Sequence, residues 1–246
     1  MSSGGANRRS VRAVTIETGR GSEMATFVLI HGGGDGGWAW HLVEAALRER
    51  GHDVVAPDLP ADDPSASLSS YADSVIHAVD DRTDLVVVGH SFGGFTAPIV
   101  CDRVAAQLLV LVAPMIPSPG EPPGDWWANT RYGDEVDGSL ADDATTFYHD
   151  VPPALAAEAM RRERDHPSAA SMREPWPLST WPAVPTRVLI GRHDRFFPPA
   201  FMRRVSLERL GIVPDEMDGG HCVSLSRPKE VADRLDGYLA AHRRTD

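Results

Sequence analysis

The segment LVVVGHSFGG, residues 85–94, constrains the fold more than any other part of the chain. Leu85–Val88 is an all-apolar run closed by Gly89, and a helical pattern runs from Phe92 to Val104. A short apolar run of this kind reads as a strand buried on both faces. Hardly any chain separates this strand from the helix, so the backbone must turn sharply. Glycines at 89 and 93 remove side chains that would clash across that turn. Ser91 then stands exposed at the strand tip, above a helix N-terminus whose dipole favours negative charge. A G-x-S-x-G pattern in strand–turn–helix context marks Ser91 as a candidate nucleophile.

The same alternation extends in both directions. Strands are expected at Ala25–Ile30, Asp53–Ala56, Leu108–Val112, Arg187–Ile190 and Ile212–Glu216, with an edge strand at Val11–Glu17. Helices are expected at Trp38–Arg50, Ser69–Asp80, Pro199–Leu207 and Pro228–Ala241. Gly51 suits the position just past a helix end, Ser69 or Ser70 an N-cap, and Pro228 a first turn. Strand and helix in strict succession predict an α/β fold, a mostly parallel sheet with helices on both faces. Right-handed crossovers then align the strand C-terminal ends along one edge, where ligands bind.

The alternation breaks between about Pro114 and Pro182. That stretch holds Trp126, Trp127, Trp176 and Trp181 and two Pro-rich flanks around a helical centre near Asp150–Asp165. An insertion at this strand end would lie over the expected site as a helical cap. The expected organisation is a flexible extension at 1–23, a core at 24–113 and 183–246, and a cap at 114–182.

Composition removes several classes of function. Lys and Arg number 24 against 35 Asp and Glu, a formal charge of −11. Nucleic acid and anionic membranes both require a basic face, so neither is an expected partner. The two cysteines, Cys101 and Cys222, read as free thiols of a reducing, cytoplasmic compartment. The ten histidines are scattered, without metal-ligand spacing, and no metal or other cofactor is expected. The only lysine, Lys229, lies in no phosphate-binding loop.

A serine hydroxyl needs a base and an orienting carboxylate. For this topology they follow the serine in the order acid, then histidine. Asp194 follows RVLIG, and His221 follows the next short strand, so both belong to the sheet edge that carries Ser91. His193 is the rival base and Asp218 the rival acid. His90 is expected to point away from the site. His31-Gly32-Gly33-Gly34 follows the first core strand, and the backbone N–H groups of Gly33 and Phe92 are the expected oxyanion donors. Met115, Trp126, Trp127, Phe147 and Trp176 are candidate pocket walls, with ordinary core as their other role.

HGGGDGGWAWHLV, GHSFGG, GRHDRFF and GGHCVSLSRP together resemble the α/β-hydrolase superfamily over roughly Ala25–Ala241. Within it they resemble the esterase branch of plant methyl esterases, hydroxynitrile lyases and their bacterial relatives. The resemblance implies a helical cap, an apolar acyl or alcohol pocket and no cofactor. Members often begin near the strand that starts here at Met24-Ala25-Thr26, so Met24 is an alternative start. One departure stands out: cyanohydrin-cleaving members carry a lysine directly after the catalytic histidine, and this chain has Cys222.

The expected function is hydrolysis of carboxylic esters by Ser91, His221 and Asp194 through an acyl-enzyme. The expected partner is a small apolar ester-like substrate, and the sequence leaves a homodimer open. Hydroxynitrile-lyase-like or thioesterase chemistry on the same triad are the alternatives, and a non-catalytic small-ligand receptor is the alternative of another class.

Overall fold

The computed structural model describes Met1 and residues 24–136, 143–164 and 167–245. The edge strand expected at Val11–Glu17 lies outside the described residues, as does nearly all of the expected extension. Six strands form one sheet: β1 (Thr26–Ile30), β2 (Asp53–Val55), β3 (Leu85–His90), β4 (Ala106–Val112), β5 (Thr186–Gly191) and β6 (Asp215–Met217). Every neighbouring pair is parallel, in the spatial order β2-β1-β3-β4-β5-β6.

Between the strands lie α1 (His41–Glu49), α2 (Leu68–Val79), α3 (Gly93–Arg103), α4 (Trp126–Asn129), α5 (Tyr132–Glu135), α6 (Asp143–Thr146), α7 (Pro153–Arg161) and α8 (Pro199–Leu210), and after β6 come α9 (Val223–Ser226) and α10 (Pro228–His242). Strand side chains alternate between two cores. Val28, Ile30, Val87, Leu109 and Ile190 pack with α2, α3 and α8 on one face. Phe27, Leu29, Val86, Val88 and Val110 pack with α1 and α10 on the other. Each such fully buried side chain stabilises the fold by about 1.5–3 kcal/mol.

The strand order places the site. From β1 the chain moves out to β2, then returns to β3 on the opposite side of β1. Connections leaving β1 and β3 therefore diverge, and a crevice opens beyond their C-terminal ends. The Gly-rich loop after β1 and the serine turn after β3 flank that crevice.

Three expectations differ in detail. The expected helix at Trp38–Arg50 opens as a 3-10 turn, Gly37–Trp40, before α1. The N-cap of α2 is Ser67, not Ser69 or Ser70; Ser70 is its partner at the third helical position, and the two exchange hydrogen bonds. β6 begins at Asp215 rather than Ile212: α8 continues to Leu210 and ends at Gly211 with φ 68°, and Pro214 has no N–H to give a ladder.

The excursion between β4 and β5 is anchored to the core at several points. The Trp126 indole N–H donates to the Ile116 carbonyl at 2.9 Å. Arg209 of α8 donates to buried Glu121 at 2.8 Å. The Trp176 indole N–H donates to the Phe95 carbonyl of α3 at 3.0 Å. Beyond these anchors α7 packs through Ala156 and Ala159 near Cys222 and Leu225, beside the C-terminal edge of the sheet.

Candidate active site

Ser91 sits between β3 and α3 with φ 50°, a left-handed conformation that costs a serine energy. The turn is over-determined. Ser91 N–H donates to the Val112 carbonyl at 3.1 Å, and its own carbonyl accepts from Met115 N–H at 2.9 Å and Gly94 N–H at 3.0 Å. A β-carbon on Gly93 would lie 2.7 Å from the His31 carbonyl oxygen, so only glycine lets the loop after β1 close over the turn.

That loop is fastened by His31. Its Nε2 accepts from Leu59 N–H at 3.0 Å, so Nδ1 carries the proton and donates to the Gly32 carbonyl at 2.8 Å. Burial pushes the His31 pKa down to about 4, which keeps the ring neutral as this bonding requires.

His221 follows β6, and Asp194 follows β5. His221 Nδ1 donates to Asp194 Oδ2 at 2.8 Å. The other carboxylate oxygen, Oδ1, accepts the N–H groups of Phe196 at 2.9 Å and Phe197 at 2.8 Å. Both residues are buried. The rivals pair with each other at the surface: His193 Nε2 lies 2.7 Å from Asp218 Oδ1. The His221 loop is held from two sides. Asp150 of the excursion accepts Gly220 N–H at 2.9 Å, and His90 Nε2–H donates to the His221 carbonyl at 3.1 Å. Burial, then the nearby His221, pushes the His90 pKa down to about 3.

Ser91 and His221 open onto one cavity of about 180 Å³. Gly33, Phe92, Met115, Trp127 and Phe147, all singled out from the sequence, line it. Trp126 and Trp176 do not. Both indoles are fully buried in the core and spend their N–H groups on backbone carbonyls, so they support the wall from behind. His90, expected to point away, lines the cavity, because its bond to the His221 carbonyl turns it inward.

Sequence reasoning missed Asp35, Tyr148, Glu163, Met172 and Phe196, which also line the cavity. An acidic residue inside the Gly-rich HGGGDGG run was the available signal for Asp35. Burial raises the Asp35 pKa to about 7, with Glu163 adding to the shift and His221 opposing it. Cys222 also lines the cavity, and burial holds its thiol well above its usual value, hence neutral.

Residues 27–234 match the family model described as the alpha/beta hydrolase family. The chain belongs to that family. Among curated relatives, a carbendazim-hydrolysing esterase of Nocardioides sp. (strain SG-4G) is 34% identical over 109 residues, 40% of this chain and 45% of the relative. Methylesterase 7 of Arabidopsis thaliana is 34% identical over 112 residues, 39% of this chain and 42% of the relative. The aligned region thus spans less than half the length of these relatives. Over the whole fold, the crystal structure of polyneuridine aldehyde esterase superposes with a TM-score of 0.74 at 20% identity, covering 88% of this chain and 99% of that one. The resemblance to plant esterases of this family therefore holds at the level of sequence segments and of fold.

Proposed function

We propose that the protein is a serine hydrolase that cleaves carboxylic esters through an acyl-enzyme. The observation that carries this reading is the buried Asp194–His221 pair opening onto the same cavity as Ser91 on its strained turn. Named esterases among the relatives support it.

In this reading Ser91 Oγ attacks the ester carbonyl carbon while His221 Nε2 takes the hydroxyl proton. Asp194 holds the imidazole with Nδ1 protonated and stabilises the imidazolium that forms. The tetrahedral oxyanion is held by the Gly33 and Phe92 N–H groups; losing one such donor typically costs about 10²–10³ in rate. His221 then gives its proton to the leaving alkoxide, and the alcohol departs. Water, deprotonated by His221, attacks the acyl carbon and releases the acid with Ser91 restored. No step calls on a cofactor. The excursion between β4 and β5 acts as a cap that keeps the acyl-enzyme dry, and the two buried thiols suit a reducing, cytoplasmic setting.

Cyanohydrin cleavage would need positive charge beside the departing cyanide, and Cys222 supplies a neutral thiol there. Ester turnover without cyanide release from mandelonitrile is the expected pattern.

Rapid mixing with p-nitrophenyl acetate tests the reading. A burst of nitrophenol equal to the enzyme concentration, followed by slower steady turnover, is expected. Hydrolysis in the Ser91→Ala variant at the wild-type rate would remove it.

A further inference from the structure

The cavity is apolar over most of its wall but acidic at one rim. Asp35 stands beside the nucleophile: a β-carbon placed on Gly32 would lie 3.0 Å from the Ser91 β-carbon and 3.5 Å from Asp35 Oδ2. Glu163 arrives from just beyond α7. Arg164 N–H donates to the Gly34 carbonyl at 2.9 Å, which seats the Glu163 side chain over Gly34. A β-carbon there would lie 3.6 Å from both Glu163 Cγ and Oε1. One backbone hydrogen bond thus brings two carboxyl groups to the same mouth.

Neither carboxyl pairs with a Lys or Arg among the described residues; His221 faces Asp35 across the cavity and favours its charged form. Among the described residues no Lys or Arg lines the cavity. The neighbouring arginines are committed elsewhere: Arg162 to Glu158 and the face of Trp38, Arg164 to Asp58 and Asp62. Negative charge beside Ser91 opposes the oxyanion that ester cleavage must form, and the low-dielectric wall strengthens that opposition. The arrangement makes sense if the missing positive charge arrives with the substrate.

A second feature points the same way. Trp127, Phe147, Tyr148 and Phe196 line the same cavity as the two carboxyl groups. Aromatic faces attract cations, most strongly when water is excluded. The overall charge of −11 also draws cations and repels anions at long range.

We propose that this rim is an ammonium subsite, so that the cavity selects substrates carrying a cationic nitrogen, held between Asp35 and Glu163 against the aromatic wall. The ester-cleaving role of the cavity rests on the function proposed above; the preference for a cation does not. The bound cation favours the ionised form of Asp35, whose burial otherwise holds it half-protonated near neutral pH. It also cancels the charge that would oppose the oxyanion.

The test uses two aryl acetates of the same shape, 4-(trimethylammonio)phenyl acetate and neutral 4-tert-butylphenyl acetate. Each is titrated calorimetrically into the full-length Ser91→Ala protein, which does not consume them. The cationic ester should bind about tenfold more tightly. That ratio should fall toward one when Glu163→Gln and Asp35→Asn are added, separately and together. Glu163 is an exposed side chain, so Glu163→Gln keeps the test sound if Asp35→Asn folds poorly. Equal binding of the two esters, tighter binding of the neutral one, no binding of either, or a ratio that survives both substitutions overturns the proposal. Wild-type turnover of the neutral ester is read in parallel. Its absence, with the cation preference intact, would remove the ester reading and leave the subsite standing.

Discussion

The two sides of the cavity are built on different physical terms. The side that carries Ser91, His221 and Asp194 grows from the ends of three parallel strands; Ser91 and Asp194 are each held by two or more hydrogen bonds to backbone, and His221 by the side chains of Asp194 and His90. The opposite side comes from the excursion after β4, in short helices tied down at isolated points such as Glu121–Arg209 and Arg164–Gly34. Rigid placement suits bond-making, which tolerates little misplacement. A wall of aromatics on short segments can change shape and charge without disturbing the frame. On the proposed reading the chemistry is built into the core, and much of the choice of substrate into the excursion.

The largest effect expected from this contrast is on the core side. Ser91→Ala should lower kcat for an aryl ester by about 10⁴–10⁶. Its melting temperature should stay near wild type, because the substitution removes one hydroxyl from a residue that lines the cavity and leaves the backbone bonds of the turn in place. A large loss of stability would mean that the turn depends on the hydroxyl and that the two effects cannot be separated.

Next comes the acid. Asp194→Asn should lower kcat by about 10⁴ by leaving His221 in the wrong tautomer. Asp218→Asn, whose ion-pair partners among the described residues are His193 and Arg227, should change it by no more than about twofold. Reversed magnitudes would assign the role to Asp218.

The adjacent tryptophans divide the excursion itself. Trp126→Ala removes a fully buried indole and should cost about 3–5 kcal/mol in denaturant unfolding. Trp127→Ala, at the cavity wall, should mainly raise KM while kcat moves little. Equal stability losses at both positions would make the wall a continuation of the core.

The smallest effect is on acid stability. His31 and His90 have folded-state pKa values near 4 and 3, below their ordinary 6.5. The unfolded chain therefore takes up these protons first as pH falls. The stability these two histidines contribute above pH 6.5 should decline progressively toward pH 4 and 3. Asp35, with its pKa raised to about 7, gains stability over the same fall and offsets part of the loss, leaving a net change on the order of a few kcal/mol. Urea unfolding at pH 7 and pH 4.5 reads it. His31→Asn should flatten part of the decline, and an unchanged slope would mean that the loop after β1 is fastened by other groups.

How far the sequence was legible follows the same division. Apolar runs such as LVVV and LLVLV announce doubly covered parallel strands, and the glycines around Ser91 announce the turn, because both depend on local sterics. β6 was misplaced because three residues, two of them charged, carry no apolar pattern, and Pro214 could not be seen to exclude pairing. For Trp126 and Trp176 the sequence leaves pocket wall and core both open, because composition reveals that aromatics are present but not which way they face. Asp35 and Glu163 were missed because they are distant in the chain, and a single backbone hydrogen bond joins their segments.

The central claim is that Ser91 becomes covalently acylated. Incubation with a fluorophosphonate, followed by intact mass and peptide mapping, tests it most directly. One adduct per chain is expected, located on Ser91, with loss of esterase activity in step with labelling. Its absence from Asp194→Asn over the same interval should follow. Full activity in unlabelled protein after that treatment, or an adduct located on another residue, would contradict it.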